Sequence, residues 1–138
     1  MSPLLPIVLG LALLADPTPT HTRDSLDTVR GNLDEKKAVL IDVREVDEWK
    51  RGHLADANLV PLSKLRKLEQ SAEVRAELEP LLPRDRIIYV HCASGVRVLS
   101  AAYFLEKLGL DACPLKPGFE DLRAAGFKLA ESESRGGR

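Results

Sequence analysis

Residues 87–109, IIYVHCASGVRVLSAAYFLEKLG, decide the fold. Ile87, Ile88, Tyr89 and Val90 follow one another in a β-rich run that predicts a strand over 86–92. Beyond Cys92 the pattern changes. Val98, Ala101, Ala102, Leu105 and Leu108 recur at helical spacing, and Gly109 ends the run. Cys92 therefore stands at a strand-to-helix turn. It is either a small buried residue or a nucleophile that the turn is built to present.

The same alternation extends in both directions. AVLIDVRE (38–45) predicts a strand buried on both faces, NLVPL (58–62) a weaker one, and DACPLKP (111–117) a fourth, ended by Pro117-Gly118. Between them, SLDTVRGNL (25–33), REVDEWKRG (44–52), the leucine-repeating LSKLRKL, EVRAELEPLL and FEDLRAAGF read as helices. The charge-rich stretch 64–86 reads as the solvated face of two of them. Strands alternating with helices imply an α/β domain, with a mostly parallel central sheet and helices on both faces. Ligands bind such sheets outside the carboxyl ends of the strands. The first strand ends in Asp42-Val43-Arg44 and the third in His91-Cys92, so both point to one site.

The chain has 138 residues, enough for one core, and a formal net charge of −1. That balance argues against a nucleic-acid partner, which would call for a basic face. The folded domain is expected over 22–128, followed by a polar, flexible tail over 129–138. Residues 1–21 read as a signal peptide or an apolar extension plus linker. The apolar run Leu4–Ala15 is shorter than the ~20 residues of a stable membrane span, and no Lys or Arg precedes it. An export signal would make the protein periplasmic or secreted; a plain extension would leave it cytoplasmic.

In CASGVR the strand stops at Cys92 and a helix begins near Val96. A loop of this kind turns backbone N–H groups inward, and the helix start adds unpaired donors with partial positive charge. Ser94 and Gly95 are small enough for a close curl, and Arg97 puts a full positive charge at the rim. A thiolate in such a cradle is stabilised, so Cys92 is expected to ionise below the ~8.5 of a free thiol. Against this stands the commoner role of a lone cysteine as a small core residue.

The pieces together resemble the rhodanese-like family, in particular its single-domain sulfurtransferases, over about residues 22–127. LIDVRE resembles the family's first core strand with its Asp-x-Arg end. EWKRGHLADANLVPL is similar to its Glu and Gly-His segment, YVHCASGVRVLSAAYFLEKLG to its active-site loop and helix, and LKPGFEDLRAAGF to its closing Gly-Gly and Trp segment. The resemblance implies a rhodanese-like three-layer domain. In it, Cys92 would take sulfane sulfur from a small anionic, thiosulfate-like donor as a persulfide and pass it to a thiol or cyanide-like acceptor. The backbone of Ala93, Ser94, Gly95, Val96 and Arg97 would bind substrate, with Arg97 holding the anion and Arg44 as a second positive group. Asp42 would fix the local geometry. No metal or organic cofactor is implied.

Relatives lacking the cysteine act only as binding modules, which leaves a persulfide carrier as the alternative. Phosphatases of the same fold resemble this loop but make it longer by one residue, so the shorter loop favours sulfur over phosphate. This sequence departs from the family at Asp56, Val98, the KPGF turn and Leu122, which bears on substrate preference.

The remaining candidates are weaker. His91 neighbours Cys92 on a strand and should face the opposite side. His53 reads as a structural residue holding a loop by hydrogen bonds, and His21 as an exposed linker residue. No His/Cys spacing suits zinc. Two cysteines are too few for a disulfide framework. Cys113 reads best as a core residue; as a resolving thiol it would make the protein a redox enzyme.

Overall fold

The computed structural model describes residues 18–131. The apolar run Leu4–Ala15 and the end of the chain from Ser132, with the signal-peptide reading and most of the tail, lie outside them. Helix α1 (Leu26–Asp34) starts at Ser25, whose hydroxyl accepts the Thr28 N–H. Strand β1 (Ala38–Asp42) follows, then α2 (Val46–Lys50), β2 (Ala57–Leu59), α3 (Leu62–Leu65) and α4 (Ala72–Leu78). A 3₁₀ turn over Glu79–Leu81 leads to β3 (Ile87–His91), α5 (Arg97–Lys107), β4 (Ala112–Pro114) and α6 (Phe119–Ala124). No helix of the described residues is long and apolar enough to cross a membrane.

The four strands pair in the order β2-β1-β3-β4, every pair parallel. Side chains alternate across them and build two cores. Ile41, Val43, Ile88, Val90 and Cys92 pack on one face with Leu62, Leu78, Val98 and Leu105. Ala38, Leu40 and Tyr89 pack on the other with Val29, Leu122 and Phe127. The fold is thus the expected α/β sandwich of three layers, and the apolar spacing on α5 places Val98, Ala101, Ala102 and Leu105 in the core.

The strands stop earlier than their apolar runs suggest, and the reasons lie at the site. β1 ends at Asp42 because its side chain accepts the Arg44 N–H at 3.0 Å, an Asx-type turn that diverts the chain. After β3 the Cys92 carbonyl accepts instead from Phe119 N–H at 2.9 Å, at the start of α6. The edge strand β4 closes on Pro114, which brings no N–H to a ladder. The start of the segment expected as a flexible tail is held. Leu129 bridges Leu54, and Ala130 N–H donates to His53 carbonyl at 2.9 Å, so the chain stays paired past residue 128. At the other end, Thr22 N–H donates to Pro114 carbonyl at 2.8 Å.

Candidate active site

Cys92 follows β3 directly, and its side chain is fully buried in the α3–α5 face of the core. The chain then loops through Ala93–Val96 into α5. Gly95 takes a φ of +81° there, and its N–H donates to Cys92 Sγ at 3.2 Å. Among the described residues this is the loop amide that reaches the sulfur. Ala93, Ser94 and Val96 lie at the exposed outer rim, Val96 at 68% exposure.

Two glycines allow the loop to close on the turn before α6. A Cβ on Gly95 would sit 2.2 Å from Lys116 carbonyl oxygen, and one on Gly118 would sit 2.0 Å from Ala93 carbonyl oxygen. Both neighbours are backbone, so neither can rotate aside. The packing thus requires the glycine of the KPGF turn. Gly118→Ala is expected to cost about 1–3 kcal/mol through forced displacement of the 92–95 loop. Denaturant midpoints and Cys92 alkylation rates, compared with the parent, test this.

Both arginines are held in ion pairs. Arg97 lies at the rim, but both its terminal nitrogens donate to Glu48 of α2, at 2.7 and 2.8 Å. The arginine hydrogen bonds hold the Glu48 carboxyl down at about 2, and Arg97 is itself raised by Glu48. Glu48 opens the EWKRGH segment quoted from the sequence, but nothing local pointed to its pairing with Arg97, whose position is far along the chain. A depressed carboxyl contributes stability in full above its ordinary pKa of about 4.5 and loses it as pH falls through about 2. The parent's melting temperature is therefore expected to drop more steeply over that window than that of Glu48→Gln. The difference is modest because the pair is partly open to solvent.

Arg44 is buried and turned to Asp42. Its Nε donates to both carboxylate oxygens at 3.0 Å and its Nη2 to Oδ2 at 2.7 Å and to Gly52 carbonyl at 2.8 Å. Its guanidinium lies 4.1 Å from the Phe119 ring centroid. Arg44 thus ties β1, the α2 end and α6 together, with its charge matched by Asp42; the resemblance implied a second positive group at the pocket. Asp42 holds the Arg44 side chain and backbone in this position.

The histidines divide by role. His91 is fully buried on the sheet face away from Cys92, near Phe119, with Nε2 3.6 Å from Asp42 Oδ2. Burial pushes its imidazole below the ordinary value, against the pull of Asp42, and its place on the opposite sheet face keeps it from serving as a base for Cys92. His53 stacks on Trp49 at 3.5 Å and its Nδ1 meets Trp49 carbonyl at 3.1 Å, a loop-holding arrangement. His21 is half-buried, with Nε2 2.6 Å from Gly95 carbonyl oxygen, where the sequence suggested an exposed linker. Cys113 belongs to the second core, across the sheet from Cys92, and both are free thiols. Among the described residues no cluster of three or more His, Cys, Asp or Glu side chains could hold a metal ion.

A parallel three-layer α/β domain with a buried cysteine at the carboxyl end of a central strand defines a class of thiol-bearing proteins. The model of the rhodanese-like domain matches residues 25–125, and the chain belongs to that family. It is 36% identical over 102 residues to the "Probable adenylyltransferase/sulfurtransferase MoeZ" of Mycobacterium tuberculosis, covering 73% of this chain and 22% of that protein. It is 37% identical over 86 residues to the uncharacterized protein YqhL of Bacillus subtilis, covering 62% of this chain and 60% of that one. Less than two thirds of either relative is spanned. The human single-domain sulfurtransferase TSTD1 superposes with a TM-score of 0.62 at 25% identity, over 73% of this chain and 94% of that one.

Proposed function

We propose that the protein is a sulfurtransferase that carries sulfane sulfur on Cys92, taking it from a small anionic donor such as thiosulfate. The observation that carries this reading is the Gly95 N–H directed at Cys92 Sγ, within a loop that opens into α5. In the first half-reaction the Cys92 thiolate attacks the outer sulfur of thiosulfate. The sulfur–sulfur bond of the donor breaks, sulfite leaves with the electron pair, and Cys92 becomes a persulfide anion. In the second, a thiophile such as cyanide attacks the terminal sulfur and the thiolate returns, so atoms and electrons balance without a redox partner. The Gly95 N–H and the positive start of α5 favour the anion in both states.

Two separate half-reactions require ping-pong kinetics. Initial rates at varied thiosulfate and cyanide are expected to give parallel double-reciprocal lines. Intersecting lines would overturn the covalent scheme. A second reading, a persulfide carrier fed by a partner protein, is favoured by one observation. The Arg97 and Arg44 charges are already matched by Glu48 and Asp42, which weakens the pull on a free anionic donor. Stoichiometric loading by a protein persulfide with no thiosulfate turnover would select it.

A further inference from the structure

The segment ahead of α1 supplies the active-site loop with a partner that the two half-reactions do not use. Thr18 and Pro19 border an open groove of about 420 Å³ beside Leu99, Ser100 and Tyr103 of α5, and hold no bond there among the described residues. Thr22 N–H then donates to Pro114 carbonyl at the end of β4. Just ahead of this bond the segment passes the active-site loop, and His21 Nε2 lies 2.6 Å from Gly95 carbonyl oxygen. A carbonyl only accepts, so His21 donates its Nε2–H. Gly95 is the same residue whose N–H donates to Cys92 Sγ.

Glycine has the widest backbone freedom of any residue, and at a φ of +81° Gly95 has no side chain to restrain it. Its N–H points to the sulfur only while both its backbone angles are held. Lys116 limits it by close approach on one side. The imidazole limits it on the other, through the carbonyl.

We infer that His21 is a positioning residue for sulfur transfer: by gripping the Gly95 carbonyl it keeps the Gly95 N–H on Cys92 Sγ. This rests on the reading of Cys92 as the sulfur-carrying nucleophile. His21 makes no contact with the sulfur; it acts through Gly95. The Thr22 bond to Pro114 tethers the segment next to His21 and delivers the ring to the loop.

The test compares the parent with His21→Phe and His21→Gln, all in a Cys113→Ser background so that one thiol reacts. Iodoacetamide alkylation of Cys92 is followed by intact mass at fixed pH, with melting temperature recorded alongside. Phenylalanine keeps a ring without a donor, and glutamine presents an N–H at similar reach. His21→Phe is expected to react about fivefold more slowly, the loss of one hydrogen bond's net worth. His21→Gln is expected to recover most of the rate, while the melting temperatures of the two variants agree. Reaction of His21→Phe at the parent rate or faster would overturn the inference, as would equal slowing in both variants. Alkylation needs no sulfur donor, so failure of the parent to load from thiosulfate would overturn the functional reading and leave this comparison intact.

Discussion

Serine in place of Cys92 is expected to abolish cyanide-dependent sulfur transfer, lowering turnover by at least about a thousandfold. The serine oxygen lacks the polarisable sulfur that accepts a sulfane atom, and no other thiol on that face of the sheet stands in for it. Cys113→Ser is the matched control. Cys113 packs in the second core, and burial pushes its thiol up to about 11, so it is protonated at neutral pH and a poor nucleophile there. Its replacement is expected to leave turnover within about twofold of the parent, as for substitutions away from the reacting group. Steady-state assays with thiosulfate and cyanide, on variants whose circular dichroism matches the parent, check both results.

The largest effect on stability is expected from Asp42→Ala. Asp42 is fully buried, receives three bonds from the Arg44 side chain and one from the Arg44 N–H, and faces His91. Its removal leaves a buried guanidinium with no counter-charge. Removing one partner of a buried pair costs about 3–5 kcal/mol, a large share of the roughly 5–15 kcal/mol that holds a domain folded. The melting temperature should fall by roughly 10–20 °C. The double variant Asp42→Leu with Arg44→Met removes both charges and is expected to be more stable than the single one. A double variant no more stable than Asp42→Ala would show that the packing around Phe119 and Gly52, rather than the unmatched charge, carries the loss.

These two effects lie at opposite ends of what the sequence made legible. Cys92 was legible because its signals are local: a β-rich run, a four-residue loop and a helical stripe lie within 87–109. The strand order beyond alternation was not, since nothing local says that β1 pairs both β2 and β3. The Asp42–Arg44 pair was half legible. The motif placed both residues at a strand end, but the direction of the guanidinium depends on Gly52 and Phe119, which arrive from later segments. Glu48 and His21 were illegible as site residues for the same reason. Each meets its partner, Arg97 or Gly95, only through the fold, at sequence separations of 49 and 74. The glycines show a third case. The sequence recorded KPGF as a departure from a glycine pair, and only the approach of Ala93 explains why Gly118 stays.

The most direct measurement is the intact mass of the reduced, folded protein after thiosulfate and again after cyanide, beside Cys92→Ser. The account predicts a gain of one sulfur atom on the parent, lost to cyanide and absent from the variant. A parent whose mass never changes with thiosulfate, or a Cys92→Ser variant that gains the same sulfur, would contradict it.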